Sequence, residues 1–164
     1  MRSIRQAADF AALTEITAHL CRGASRISGG KSAAEEARLA VQCRDALLEQ
    51  LAREFVPPMD RRDLAVLAFR FCAPAEALAD PAADGMPHSL GRRVTAAAEA
   101  LAALADSLPE PAQPKIAEAF RCADALRAAS RAEADSRLAS ALTRFADACA
   151  SCAEAVAVAA VMEL

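Results

Sequence analysis

Tryptophan and tyrosine are both missing from this 164-residue chain, and aromatic residues make up only 4% of it. Sheets favour aromatic and β-branched side chains, so this scarcity argues against a β-rich core. Glycine is scarce as well, with five residues. No basic run is present. The cationic residues are nearly all Arg, they alternate with Asp and Glu, and the net charge is -3. The electrostatic footprint of a nucleic-acid binder is therefore lacking. The longest apolar stretch, from Ala155 to Met162, is far short of the roughly 20 residues that span a bilayer. Met1-Arg2-Ser3-Ile4-Arg5 is followed by Asp9 rather than an apolar segment, so no signal peptide is predicted and the expected location is the cytoplasm. No Ser-His-Asp set, glycine-rich phosphate loop or His-Glu-x-x-His pattern occurs. Gly29-Gly30-Lys31-Ser32 resembles only the end of a P-loop, without the preceding strand and first glycine. These absences point away from an enzyme.

What the chain does contain is alanine, within a hydrophobic fraction of 55%. Alanine is the best helix former, and alanine faces let helices approach closely, so the composition predicts a helical bundle. A first helix is predicted over 3–22, closed by Gly23, with Gly29-Gly30 in a loop. Ser32-Ala33-Ala34-Glu35 has the form of a capping box and starts a second helix. The buried stripe of that helix is Leu39, Cys43, Leu47, Leu51 and Phe55. Pro57-Pro58 ends it, and Asp60 caps a third helix carrying Leu64, Leu67, Phe71 and Leu78, with a kink expected at Pro74. A fourth helix, starting at Ser89, repeats Leu90, Val94, Ala97, Leu101, Leu104 and Leu108. A sixth repeats Leu138, Leu142, Phe145, Cys149, Cys152, Val156 and Ala159. Both alternate spacings of four and three, the seam of a left-handed bundle. Between them Pro109, Pro111 and Pro114 stiffen a connector into a fifth helix, over 115–131, that packs through Ile116, Phe120 and Ala123. The fold expected is all-α, one domain over 1–164, an antiparallel bundle of about six helices in two three-helix halves.

The stretch Glu54-Phe55-Val56-Pro57-Pro58-Met59-Asp60-Arg61-Arg62-Asp63-Leu64 resembles the helix-turn-helix signature of the PhoU-like family. These helical-bundle proteins are associated with Pit-type phosphate transporters. Phe55, Pro57, Asp60, Arg61 and Asp63 form that signature turn, and the match is best over 35–80. The resemblance implies a non-enzymatic accessory protein of phosphate transport, with a protein partner such as the transporter and membrane association only through it. It also implies surface clusters of acidic metal ligands, since several carboxylates on one helix face can hold a hard cation. In this chain two of those positions are Leu39 and Val41, and on the third helix Cys72 and Ala73 leave only Glu76 acidic. Asp124, Asp147 and Glu154 fall on acidic family positions as weak candidates, while Phe120, Ala150 and Ser151 occupy others. So few carboxylates cannot neutralise a multinuclear cluster, and no cofactor is expected; a solvated face explains Asp147 and Glu154 equally well.

Two further patterns carry chemistry. Cys149-Ala150-Ser151-Cys152 is a Cys-x-x-Cys, but both thiols lie mid-helix on the predicted seam, where small apolar residues belong and no helix N-terminus lowers a thiol pKa. Core packing is the reading preferred. Ala18-His19-Leu20-Cys21-Arg22-Gly23 resembles the histidine motif of phosphotransfer domains, so His19 is the alternative phosphoacceptor, set against a plain surface histidine. A third reading is a self-associating scaffold, a homo-oligomer that buries Val156, Val158, Val161 and Met162.

Overall fold

A computed structural model describes residues 2–53, 61–108 and 110–162. Six α-helices account for nearly all of them, and no strand occurs among the described residues. The helices are α1 (Arg2–Ser28), α2 (Ala34–Arg53), α3 (Arg61–Leu78), α4 (His88–Asp106), α5 (Gln113–Ala132) and α6 (Ser136–Met162), with one 3-10 turn at Pro81–Ala83.

Helices α1, α2 and α3 pack on one another, as do α4, α5 and α6. The two triplets meet where α1 lies on α4 and α3 lies on α6. Hydrogen bonds give the directions. Thr14 donates to Asp106 at 3.2 Å and Ser28 bonds Thr95 at 3.3 Å, so α1 and α4 run antiparallel. Arg127 donates to Asp147 and Thr143 donates to Ser130, which sets α5 against α6 in the same sense. Arg70 donates to Ser151, and Arg144 pairs with Asp80, fixing α3 antiparallel to α6. The result is the two-triplet bundle that periodicity predicts.

The core follows the predicted seams closely. Leu90, Val94, Ala97, Leu101 and Leu104 are buried on α4, and Leu138, Leu142, Phe145, Cys149, Cys152 and Val156 on α6. Leu64, Leu67, Phe71 and Leu78 are buried on α3, which continues through a buried Pro74. Helix α2 departs from expectation. Leu47 and Leu51 are buried, but Leu39, Val41 and Cys43 are only half-buried, and Ala37 and Ala40 fill the inward positions. The reason is geometric: α2 sits at a corner against α1 and α3, so a narrow alanine face is covered and its flank opens toward α1.

The first helix is longer than predicted. Gly23 does not close it; the helix runs a further turn and more to Ser28. A Cβ on Gly23 would lie 3.3 Å from Ala33 Cβ and 3.6 Å from Glu36 Cβ, so this glycine lets α2 come close. The true stop is Gly30, at φ 72°. Lys31 N–H donates to Arg26 O at 2.8 Å and Gly30 N–H to Ile27 O at 2.9 Å, which together form a Schellman cap. The capping box at Ser32 is half realised. Ser32 Oγ accepts from Ala34 N–H, whereas Glu35 turns forward to Arg38 at 2.6 Å instead of back. Asp135 caps α6, accepting from Arg137 and Leu138 N–H, and α4 opens at His88, one residue before Ser89.

In the signature turn, Phe55, Pro57 and Asp60 lie outside the described residues. Arg61 opens α3, and Asp63 is exposed in its first turn, where a carboxylate complements the helix dipole.

Gly30 alone carries the left-handed conformation of the α1 cap. Gly30→Ala is expected to destabilise the fold by about 1–2 kcal/mol, the strain of a Cβ at positive φ. Gly29→Ala, one residue earlier, should stay within about 0.5 kcal/mol. Urea denaturation midpoints of the two variants make the comparison.

Candidate functional site

The chemistry of this molecule gathers in the groove between α1 and α2. Glu15 and His19 are four residues apart on α1 and therefore share a face. Antiparallel α2 brings Cys43 and Glu36 alongside them. His19 is not the surface histidine or exposed phosphoacceptor that the motif suggested, because it is only 8% exposed. It lines the α1/α2 groove with Glu15, Leu39, Gln42 and Cys43.

His19 Nδ1 lies 2.8 Å from Glu36 Oε2, and Arg22 Nε donates to the same oxygen at 3.3 Å. Arg22 Nη2 also lies 2.9 Å from Nδ1. A single ring nitrogen cannot donate to Glu36 and accept from Arg22 at once. The carboxylate is the nearer and oppositely charged partner, so the proton is assigned to Nδ1 with Glu36 as acceptor. The hydrogen bond from His19 holds the Glu36 carboxyl below its ordinary range, and Arg22 adds to the effect against partial burial.

Cys43 faces Glu15. Burial pushes its thiol pKa up, and the Glu15 charge and hydrogen bond push it further, with Arg22 opposing. Among the described residues, Glu15, His19 and Cys43 form the one group of three such side chains whose ligating atoms all lie within 4.8 Å of one another.

The carboxylates singled out by resemblance behave differently. Asp124 and Asp147 both accept from Arg127, at 3.1 and 2.8 Å, so a guanidinium stands where a cation would. Glu76 pairs with Arg44 at 3.5 Å. Glu154 is exposed on α6, lining a groove with Asp63 and Arg70. With Leu39 and Val41 aliphatic and Cys72 buried, the residues present do not fit a multinuclear acidic metal cluster.

Cys149 and Cys152 are buried in the core as free thiols, each driven upward by burial. Cys72 is pushed up to about 12, first by burial and then by Glu76. None is poised as a nucleophile.

A second feature lies at the boundary between the triplets, where α3 meets α6. Among the described residues, the large apolar side chains that remain exposed are Val66 (42%), Phe69 (51%), Val158 (57%) and Val161 (68%). All belong to α3 or α6. Val66 and Val158 line one shallow groove with Leu67, Ala155 and Ala159, rimmed by Asp63, Arg70, Ser151 and Glu154. Phe69 carries the Arg44 guanidinium 4.9 Å above its ring. Sequence reasoning placed Val158 and Val161 in a candidate interface but missed Val66 and Phe69, which fall outside the predicted α3 stripe of Leu64, Leu67, Phe71 and Leu78.

Comparison with protein-family models, curated proteins and solved structures finds no match to the chain. The resemblance read in the turn motif rests on those residues alone.

Two measurements check this geometry. The Glu36 carboxyl has a lowered pKa in the fold, so its contribution is present above the ordinary carboxylate value and lost as pH falls through the lowered one. Glu36→Gln should cost about 1 kcal/mol at neutral pH. The gap to the wild type should narrow below about pH 4, as followed by urea melts across pH. In thiol titration of the native protein, half-buried Cys21 and Cys43 should label slowly, and Cys72, Cys122, Cys149 and Cys152 only after denaturation.

Proposed function

We propose that this protein is a non-enzymatic, cytoplasmic accessory protein that regulates phosphate transport by binding a Pit-type transporter, reaching the membrane only through that partner. The observation that carries partner binding is the exposed apolar surface of α3 and α6: Val66 and Val158 line one groove rimmed by Asp63, Arg70, Ser151 and Glu154, and Phe69 and Val161 are exposed on the same two helices. Exposed apolar patches bounded by polar residues mark interaction surfaces on soluble domains. Phosphate transport as the setting comes from the resemblance of the Phe55–Asp63 turn to the PhoU-like signature, and a fold-level likeness alone would not carry it. No helix among the described residues is long and apolar enough to cross a membrane, which agrees with contact through a partner.

The test is co-purification of the tagged protein with a Pit-type transporter from detergent-solubilised membranes. Capture should fall at least about tenfold in Val66→Asp and Val158→Asp, while exposed-site substitutions leave stability within about 0.5 kcal/mol. Absence of any transporter, or equal capture by both variants, would overturn the reading. A doubled solution mass that both variants halve would instead assign the groove to a second copy of the chain.

A further inference from the structure

We infer that the α1/α2 groove is a mononuclear site for a zinc-class divalent cation, ligated by Glu15, His19 and Cys43. The three ligating atoms already converge within 4.8 Å without an ion. A tetrahedral ion with Zn–N near about 2.0 Å and Zn–S near about 2.3 Å requires each to move inward by only about an ångström. Such a mixture of imidazole, thiolate and carboxylate suits a borderline-soft ion better than calcium or magnesium, which take oxygen ligands.

The support around the histidine is the stronger observation. A metal-binding imidazole commonly donates its other N–H to a carboxylate, which fixes ring orientation and raises the basicity of the free nitrogen. Glu36 takes that part at 2.8 Å from Nδ1, which leaves Nε2 as the nitrogen available to an ion.

Charge also balances. Glu15, Glu36 and a Cys43 thiolate supply three negative charges, against Arg22 and the two charges of the ion. On binding, the Cys43 S–H proton leaves to solvent as the sulfur–metal bond forms. Arg22 Nη2, now 3.4 Å from Nε2, must swing aside toward solvent, giving up its contact with the ring, and the half-exposed side chain has room for that. Three protein ligands leave the fourth position open to the groove.

The site is independent of the α3/α6 strip, and its test uses metal alone. Metal-free protein is titrated with zinc by calorimetry and with cobalt by absorbance. One ion per chain is expected, with a near-ultraviolet thiolate-to-cobalt charge-transfer band. Cys43→Ala and His19→Gln should abolish the band, whereas Cys21→Ser should retain it. Glu36→Gln should keep the band but weaken affinity by about ten- to a hundredfold. Circular dichroism melts establish that each variant folds, and half-buried Cys43→Ala decides the matter if His19→Gln does not. No binding, a cobalt complex without the thiolate band, or a band that survives Cys43→Ala overturns the site.

Discussion

Close approach of helices through residues with little or no side chain is the constraint on which this bundle depends. Helix α1 is touched by α2, α3 and α4, and at two of these contacts a glycine makes the room. Gly23 admits Ala33 and Glu36 from the α2 side. At Gly91 on α4 a Cβ would meet Ser28 Oγ at 2.8 Å and Ser28 Cα at 3.3 Å. Fully buried alanines continue the pattern, with Ala24 on α1, Ala40 on α2, Ala68 on α3 and Ala98 on α4. Small contact residues bring helix axes to the short end of the usual 8–10 Å range. Dispersion then recovers from many short contacts what tryptophan and tyrosine, absent from the chain, cannot supply.

That closeness also makes the His19 arrangement. Glu36 stands in the first turn of α2, and its Cβ is 3.6 Å from where a Gly23 Cβ would be. Its carboxylate can therefore reach back along α1 to a buried imidazole. The same antiparallel approach carries Cys43 to Glu15 two turns further on. A bulkier residue at position 23 would open the groove and separate the groups together. The local chemistry thus depends on a position that carries no chemistry of its own.

Much of the fold was legible in the sequence because the seams of α4 and α6 hold a strict spacing of four and three, from Leu90 to Leu104 and from Leu138 to Val156. Periodicity failed at α2, where Leu39 and Cys43 share a stripe with Leu47 yet only the far end is covered. A helix at a corner buries a narrower face than its apolar residues describe. Gly23 misled because a glycine inside a helix and a glycine ending one look alike until the partner helix is known; the positive φ belongs to Gly30. The site was less legible still. His19 drew notice through its local motif, and Glu15 stands one turn before it on the same helix, but Glu36 and Cys43 come to it across a loop, and no spacing in the sequence pairs them with it. Asp124 and Asp147 were noticed as carboxylates, yet their common partner Arg127 emerges only when α5 and α6 are laid side by side.

The division into triplets has a consequence for the connectivity. The chain passes from one triplet to the other only through the short segment after α3, where Asp80 caps the 3-10 turn and Gly85 sits exposed at φ 74°. A backbone opened at Gly85 would interrupt no helix, because Gly85 lies between the 3-10 turn and α4. Each severed piece would then expose the faces of α1 and α3, or of α4 and α6, that only its counterpart covers. The molecule is thus organised as a pair of complementary fragments tethered by a short leash, a layout suited to reconstitution from two separately made polypeptides.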